Sequence, residues 1–347
     1  MKIAILGAGG FIGSHLVEHL VGRREHSVVA IDVCDEKLGH IDASAFAYHE
    51  ADIRIERELM EEVIQSADLV VDLVAHANPS LYVTSPIDVF ELNFTENLNI
   101  ARLCIKHKKR LVQYSSAEVY GKANSGDSFS EDATDLVLGP TARQRWIYAA
   151  AKGLLERVLH AHGLAGELEY TIIRPFNFLG SRLDYLVPAG SMGGPRVFPH
   201  FMSALLTGGP MYLVDGGHVH RAFLHIEDAN HGFQAIIDQP HASKNQIYNI
   251  GNPGNNVSIR KLAQLMIELY EEITDDASKP ELVEVSGEEF YGEGYEDGDR
   301  HPPDIGKIRR LGWEPVKDLR STLKDAMAHY LSTSEQSARP GVQHCAS

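Results

Sequence analysis

The sequence predicts an α/β protein built on a doubly wound parallel sheet, and three observations predict it. A glycine turn, Gly7-Ala-Gly-Gly-Phe-Ile-Gly13, separates a short apolar run from a segment with apolar residues at helical spacing. Apolar runs and helical stretches then alternate through the first half of the chain. The runs are apolar at consecutive positions, as strands buried on both faces must be.

Lys2 to Leu6 is the first strand, and "SHLVEHLVGR" the first helix. "SVVAIDV", "DLVVDLVAHA", "RLVQYSS" and "YTIIRPF" read as further strands, with "IDVFELNFTENLNIARLCIKH" and "YAAAKGLLERVLHAHG" as helices between them. After Gly180 the glycine- and proline-rich stretch "SRLDYLVPAGSMGGPR" reads as a long ligand-contacting loop. "AFLHIEDANHGFQAII" and "NQIYNIGN" look like a return to the main sheet. "SIRKLAQLMIELYEEI" and the segment from Pro280 to Trp313 form a smaller mixed α/β lobe. The expected division is 1–178 with 222–253 for the sheet domain, 179–221 with 254–331 for the lobe, and 332–347 as a flexible polar tail.

A chain of 347 residues, 44% hydrophobic and 23% charged, has a soluble globular composition. Its net charge of −16 argues against nucleic acid and anionic membranes as general partners and leaves small-molecule chemistry. Cys34, Cys104 and Cys345 lack C-x-x-C spacing, so neither a disulfide framework nor structural zinc is expected, and a reducing cytoplasm fits. "MKIAILGAGG" is already strand and turn, so no secretion signal is expected, and no run nears the ~18 apolar residues of a membrane span.

Gly7, Gly10 and Gly13 sit three apart, so the turn can bring backbone N–H groups against a pyrophosphate where Phe11 and Ile12 open a helix. Asp32 closes the next strand 19 residues after Gly13, where an acid accepts hydrogen bonds from a ribose diol and repels a 2′-phosphate. NAD is the expected cofactor. Asp52 and Ile53 in "EADIR" fall where a third strand ends beside an adenine, and Ala75 in "LVAHA" faces the cofactor's other side.

Tyr148 and Lys152 lie four apart, on one face of a helix. A neighbouring ammonium and a positively charged nicotinamide both favour phenolate, pulling a group that titrates near ~10 toward neutrality and making Tyr148 a general base. His218, His220 and His225 fall near one strand without a second ligand set, so no metal is expected.

"GAGGFIG", "YSSAEVYG", "RWIYAAAK" and "RPFNFLG" resemble an extended short-chain dehydrogenase/reductase of the nucleotide-sugar epimerase/dehydratase group, from about Lys2 to Leu331. "LVDGGHVHRAF", "YNIGNPGNNVSIRKLAQLM" and "EFYGEGYEDGDRHPPDI" are most similar to UDP-apiose/UDP-xylose synthases and to the UDP-glucuronate decarboxylase of the aminoarabinose lipid A pathway. The resemblance implies a doubly wound Rossmann fold, a homodimer, and a UDP-sugar substrate oxidised at C4 by tightly bound NAD. Decarboxylation would follow oxidation; 4-epimerisation without carboxyl loss is the alternative. It implies that Ser116 hydrogen-bonds the C4 oxygen while Tyr148 takes its proton, and that Glu118 and Arg145 flank the sugar's carboxyl end. Tyr82 would lie near the sugar, Asn177 and Arg221 at the diphosphate, and Arg196 and Tyr295 around the nucleoside.

Two positions depart from the family pattern. At Ala117 the related decarboxylases carry serine, the apiose synthases cysteine and the 4,6-dehydratases aspartate; alanine supplies no proton, which counts against dehydration. His301 stands opposite an arginine of the decarboxylases and the apiose synthases, with Arg300 one position earlier. Either Arg300 substitutes for that arginine or His301 takes its place.

Overall fold

The computed structural model describes residues 1–123, 128–188, 190–193, 196–277, 279–298 and 301–336. Among these the strands are β1 (Lys2–Leu6), β2 (Ser27–Asp32), β3 (Ala47–Glu50), β4 (Leu69–Asp72), β5 (Arg110–Tyr114), β6 (Tyr170–Pro175), β7 (Asn177–Leu179), β8 (Met211–Val214), β9 (His220–His225), β10 (Gln246–Ile250), β11 (Asn256–Ser258) and β12 (Leu282–Val285).

Seven strands form one sheet in the order β10-β6-β5-β4-β1-β2-β3, and every pairing in it is parallel. The chain winds outward from β1 to β3, returns to β4 and winds the other way. The ends of β1 and β4 therefore bound the crevice where open α/β sheets place their ligands.

β1 shows why the strand runs are continuously apolar. Ile3 and Ile5 enter one core cluster with Leu16, Leu20, Phe233 and Ile236; Ala4 and Leu6 enter another with Met60, Ile64, Ile100 and Leu155. Successive residues point to opposite faces, and helices cover both. Each fully buried aliphatic side chain contributes about 1.5–3 kcal/mol.

The expected helix "IDVFELNFTENLNIARLCIKH" is helical but not uniform: Pro86–Phe90 and Asn97–His107 are α-helical, and Glu91–Glu96 between them is a π-turn. Two buried asparagines account for the wider turn. Asn93 Nδ2 donates to the Val89 and His76 carbonyls at 2.8 and 3.2 Å, and Asn97 Nδ2 donates to Asp72 Oδ2 and the Val74 carbonyl at 2.7 and 3.0 Å.

One strand expectation needs correction. β10 joins the main sheet beside β6, but β9 does not. β9 lies between β7, to which it is parallel, and β11, to which it is antiparallel. After β6 the chain turns away while the Phe176 N–H donates to the Ile250 carbonyl at 2.9 Å, so β10 takes the edge and β7 starts a new sheet. β8 and β12 form a separate parallel pair. The helix Leu319–Gln336 continues through Ser332, where the tail was expected to begin; residues 337–347 lie outside the described residues. Among the described residues no helix is long and apolar enough to cross a membrane.

Candidate active site

A cleft of about 420 Å³ opens at the switch point. It gathers residues from four strand ends: Gly7, Gly10, Phe11, Ile12 and Gly13 after β1, Ala75 after β4, Ser116 to Glu118 after β5, and Asn177 after β6. Tyr82, Arg145, Tyr148, Lys152, Arg196, Arg221, Tyr295 and His301 line the same space. Asp52 and Ile53 are not among its lining residues: the Asp52 carboxylate is engaged by Arg54 Nε and Nη2, at 2.9 and 2.6 Å, and Ile53 is buried. Arg300 lies outside the described residues.

The glycine turn is tightly constrained. A Cβ on Gly13 would sit 2.1 Å from the Gly7 carbonyl oxygen, so the helix Phe11–Arg23 packs this closely only with glycine there. Gly9, which spacing alone does not single out, is equally constrained: its Cβ would sit 1.9 Å from the Cys34 carbonyl oxygen. The Gly9 N–H donates to Asp32 Oδ2 at 2.8 Å, and the Val33 N–H to Oδ1 at 2.7 Å. Burial pushes the Asp32 carboxyl above its usual range while these N–H groups pull it back.

These residues fit NAD. A Cβ built on Gly10 meets nothing closer than the Gly7 carbonyl at 3.4 Å, so the missing side chain leaves a hollow at the start of a 13-residue helix. That helix has no side-chain cap and no acid in its first turn, leaving its N-terminus to an anion such as a pyrophosphate. Lys37, five residues after Asp32, also lines the cleft and donates to the Leu183 carbonyl at 3.4 Å. It went unnoticed in the sequence because nothing local marks it.

Tyr148 and Lys152 stand on the helix Ile147–Leu164, both nearly inaccessible at 4% and 1% exposure. The Tyr148 ring stacks on Tyr82 with centroids 4.7 Å apart and planes 7° from parallel. Lys152 Nζ donates to the Tyr114 carbonyl at 3.1 Å. Burial pushes the Tyr148 phenol up to about 12, partly offset by a hydrogen bond with Ser116, and pulls Lys152 down to about 8, opposed by Asp72 and Glu156. The expected shift of the phenol toward neutrality is thus reversed in the protein alone. Burial acts on both groups, so the lysine loses its proton before the phenol does, and its charge is absent when the phenol titrates.

The cations opposite form one network. Arg145 Nη1 lies 2.6 Å from Glu118 Oε2, and its Nη2 lies 4.0 Å from Asp297 Oδ1. Arg221 Nη2 donates to both Asp297 oxygens at 2.8 Å. Asp297 is a cleft residue that motif reading missed, since its partners come from distant segments. The neighbouring Glu296 fixes that segment: Trp146 Nε1 and Lys122 Nζ donate to it at 3.1 and 2.6 Å. Tyr295 stacks on Tyr291 with centroids 4.2 Å apart.

Asn177 Nδ2 donates to the Ala222 carbonyl at 3.3 Å. Arg196 pairs with Asp184 at 3.1 and 3.2 Å, and its guanidinium carbon lies 5.8 Å from the centre of the Phe11 ring, beside the glycine turn. His301 meets the Phe129 ring edge-on at 5.4 Å. Its segment is held by a bond from the Phe129 N–H to the Pro302 carbonyl at 2.9 Å and one from the Asp304 N–H to the Phe129 carbonyl at 2.8 Å. Ala117, 7% exposed, belongs to a buried cluster with Phe129, Phe176 and Ala222, and with Phe176 and Ala222 it forms an apolar wall of the cleft.

Residues 3–251 match the model of the NAD dependent epimerase/dehydratase family. The UDP-D-apiose/UDP-D-xylose synthase of Oryza sativa subsp. japonica is 37% identical, over 98% of this chain and 91% of that one. UDP-D-apiose/UDP-D-xylose synthase 2 of Arabidopsis thaliana is 37% identical, over 96% of this chain and 92% of that one. Among solved structures, the PbgP3 protein of Burkholderia pseudomallei superposes with a TM-score of 0.86 at 35% identity, covering 96% of this chain and 97% of that one. A cleft whose glycine turn fits NAD, lined also by Ser116, Tyr148 and Lys152, and likeness along nearly the whole sequence lead to one conclusion: the chain belongs to the NAD dependent epimerase/dehydratase family.

Proposed function

We propose that this protein oxidises C4 of a UDP-glucuronate-type sugar nucleotide and then releases the sugar's carboxyl group as carbon dioxide, giving a UDP-4-keto-pentose, UDP-xylose or UDP-apiose type product. Arg145 carries the reading. Arg145 is 3% exposed, and its Nε has no hydrogen-bond partner among the described residues, in the same cleft as Ser116 and Tyr148. A buried cation with an unmet donor is suited to an anionic substituent, and a sugar carboxylate supplies one. The UDP-sugar class is supported by the 37% identity to two UDP-D-apiose/UDP-D-xylose synthases.

NAD, when bound, supplies the hydride acceptor and a positive charge beside the reacting carbon. Tyr148 Oη takes the proton of the C4 hydroxyl, and Ser116 Oγ hydrogen-bonds the same oxygen. With C4 a ketone, the carboxyl on C5 is that of a β-keto acid. Its C–C bond breaks as carbon dioxide leaves, the electron pair moves onto the C4 oxygen, where Tyr148 and Ser116 donate, and C5 takes a proton from water to give the 4-keto-pentose; return of the hydride to C4 would give the UDP-xylose type product. Arg145 holds the carboxylate until it departs, and Glu118 fixes the guanidinium. Arg221 and Asn177 hold the diphosphate, Tyr82 flanks the sugar, and Arg196 and Tyr295 hold the rest of the nucleotide.

The second reading, 4-epimerisation, is favoured by Ala117, whose apolar wall offers no proton beside the sugar. Mass analysis after incubation with UDP-glucuronate separates the two. Loss of the mass of carbon dioxide supports decarboxylation, and an isomer of unchanged mass supports epimerisation.

A further inference from the structure

His15 and Arg182 stand behind the cleft, and the mechanism above uses neither. His15 lies one turn into the helix Phe11–Arg23, 9% exposed, with its ring edge-on to Phe11 at 5.4 Å. Its Nε2 is 2.8 Å from the Ser181 carbonyl oxygen, and Arg182 Nη2 is 3.0 Å from its Nδ1. A carbonyl only accepts and a guanidinium only donates, so the imidazole proton sits on Nε2 and Nδ1 is the acceptor. The ring is therefore neutral, and burial keeps it so by pulling it down to about 4. The same Arg182 Nη2 donates to Glu18 Oε2 at 2.7 Å, three residues further along the helix.

Arg182 makes these bonds from a backbone that disfavours arginine. Its φ of 60° lies in the left-handed region, where a side chain strains the chain. Such strain persists where the surroundings fix it, and here the two bonds of the guanidinium do. The bend follows β7 and brings the next two residues, Leu183 and Asp184, to the cleft wall. The Leu183 carbonyl accepts from Lys37 Nζ, and the Asp184 carboxylate accepts from Arg196. Tyr330 Oη fixes the far end, donating to the Asp184 carbonyl at 2.7 Å and accepting from the Asp184 N–H at 3.1 Å. Both cations that line this side of the cleft are thus held by residues 183 and 184.

We propose that His15 and Arg182 are positioning residues for the cofactor: they clasp residues 181–184 to the helix whose N-terminus receives the pyrophosphate, and so set Lys37 and Arg196 at the mouth of the cleft. The inference rests on NAD occupying the glycine turn. The near side of the clasp is itself fixed, since Asn230 Nδ2 donates to the His15 carbonyl at 3.0 Å from the helix Ile226–Asp238. Glu18 does not compete for the imidazole. It is engaged by Arg182 and by His40 Nε2, at 2.7 and 3.0 Å, and lies 4.0 Å from His15 Nδ1.

Arg182→Gly separates this role from a structural one, because glycine adopts a positive φ without strain and removes both side-chain bonds. The readouts are the rate at which NAD leaves loaded protein, thermal unfolding without NAD, and hydrogen exchange of residues 181–187. Arg182→Gly should unfold at the wild-type temperature or above, release NAD about tenfold faster, and exchange faster within 181–187. His15→Ala should release NAD as fast as Arg182→Gly. In His15→Gln the side-chain amide again offers a donor to the Ser181 carbonyl, so release should be slower than from His15→Ala.

Faster exchange that spreads along β1 and the whole helix Phe11–Arg23 would mark lost stability rather than lost position, and overturns the proposal. Wild-type protein that binds no NAD would overturn the cofactor reading and this proposal together. NAD leaving Arg182→Gly and His15→Ala at the wild-type rate overturns this proposal alone.

Discussion

Gly10→Ala and Gly13→Ala should separate cofactor binding from folding, though the two substitutions are chemically identical. At Gly13 the new Cβ lands 2.1 Å from the Gly7 carbonyl oxygen and 2.8 and 2.9 Å from backbone atoms of Ala8, so the helix Phe11–Arg23 must move off β1 by about an ångström. Overpacking of this kind costs about 1–3 kcal/mol and lowers Tm by a few degrees. At Gly10 the nearest atom is 3.4 Å away, and the backbone, φ −71° and ψ 176°, is open to alanine. Stability should hold or rise by about 0.4–1 kcal/mol, because alanine reduces the entropy of the unfolded chain. Yet that methyl fills the hollow at the helix N-terminus, and NAD affinity should fall about tenfold or more, at least ~1.4 kcal/mol. The assay is NAD titration by calorimetry alongside thermal unfolding with and without NAD. Gly10→Ala binding NAD as tightly as wild type, or Gly13→Ala unfolding at the wild-type temperature, would refute the assignment of this turn.

Tyr148→Phe keeps the stack on Tyr82 and should keep Tm, but it should lower substrate-driven NAD reduction at least ~10²-fold in stopped-flow absorbance. Arg145→Lys keeps the charge and loses the forked donor, so KM for a carboxylated sugar nucleotide should rise about tenfold or more while NAD affinity is unchanged in the calorimeter. Ala117→Ser should leave the rate of NAD reduction unchanged and speed carbon dioxide release, read by product mass against time. His15 titrates at about 4 in the folded protein because burial pulls it below 6.5, so the native state binds its proton more weakly than the unfolded chain does. Its contribution, up to about 3 kcal/mol, is complete above pH 6.5 and is lost as pH falls toward 4; in urea unfolding at several pH values, His15→Gln should flatten that acid slope.

The elements that sequence reading located are those fixed by near neighbours in the chain. The glycine turn, Asp32 and the Tyr148–Lys152 pair are local patterns: the turn and the pair line one cleft, and Asp32 is held against the turn by the Gly9 N–H. What reading along the chain missed depends on distant partners. Gly9 is forced by the Cys34 carbonyl, Asp297 is defined by Arg145 and Arg221, and Asp72 by Asn97 across the π-turn. β9 carries an apolar pattern suited to either sheet, and only the departure of β7 from β6 decides its partners. The Tyr148 phenol followed the same logic: the helix face brings the lysine near, but burial of both groups sets the order in which they lose protons.

The most direct test of the central claim is a single-turnover experiment mixing NAD-loaded protein with UDP-glucuronate carrying deuterium at C4. NADH absorbance should appear before product, deuterium should slow its appearance, and the released sugar nucleotide should lack the carboxyl group. Product formed without any NADH signal and with no effect of C4 deuterium would contradict oxidation at C4.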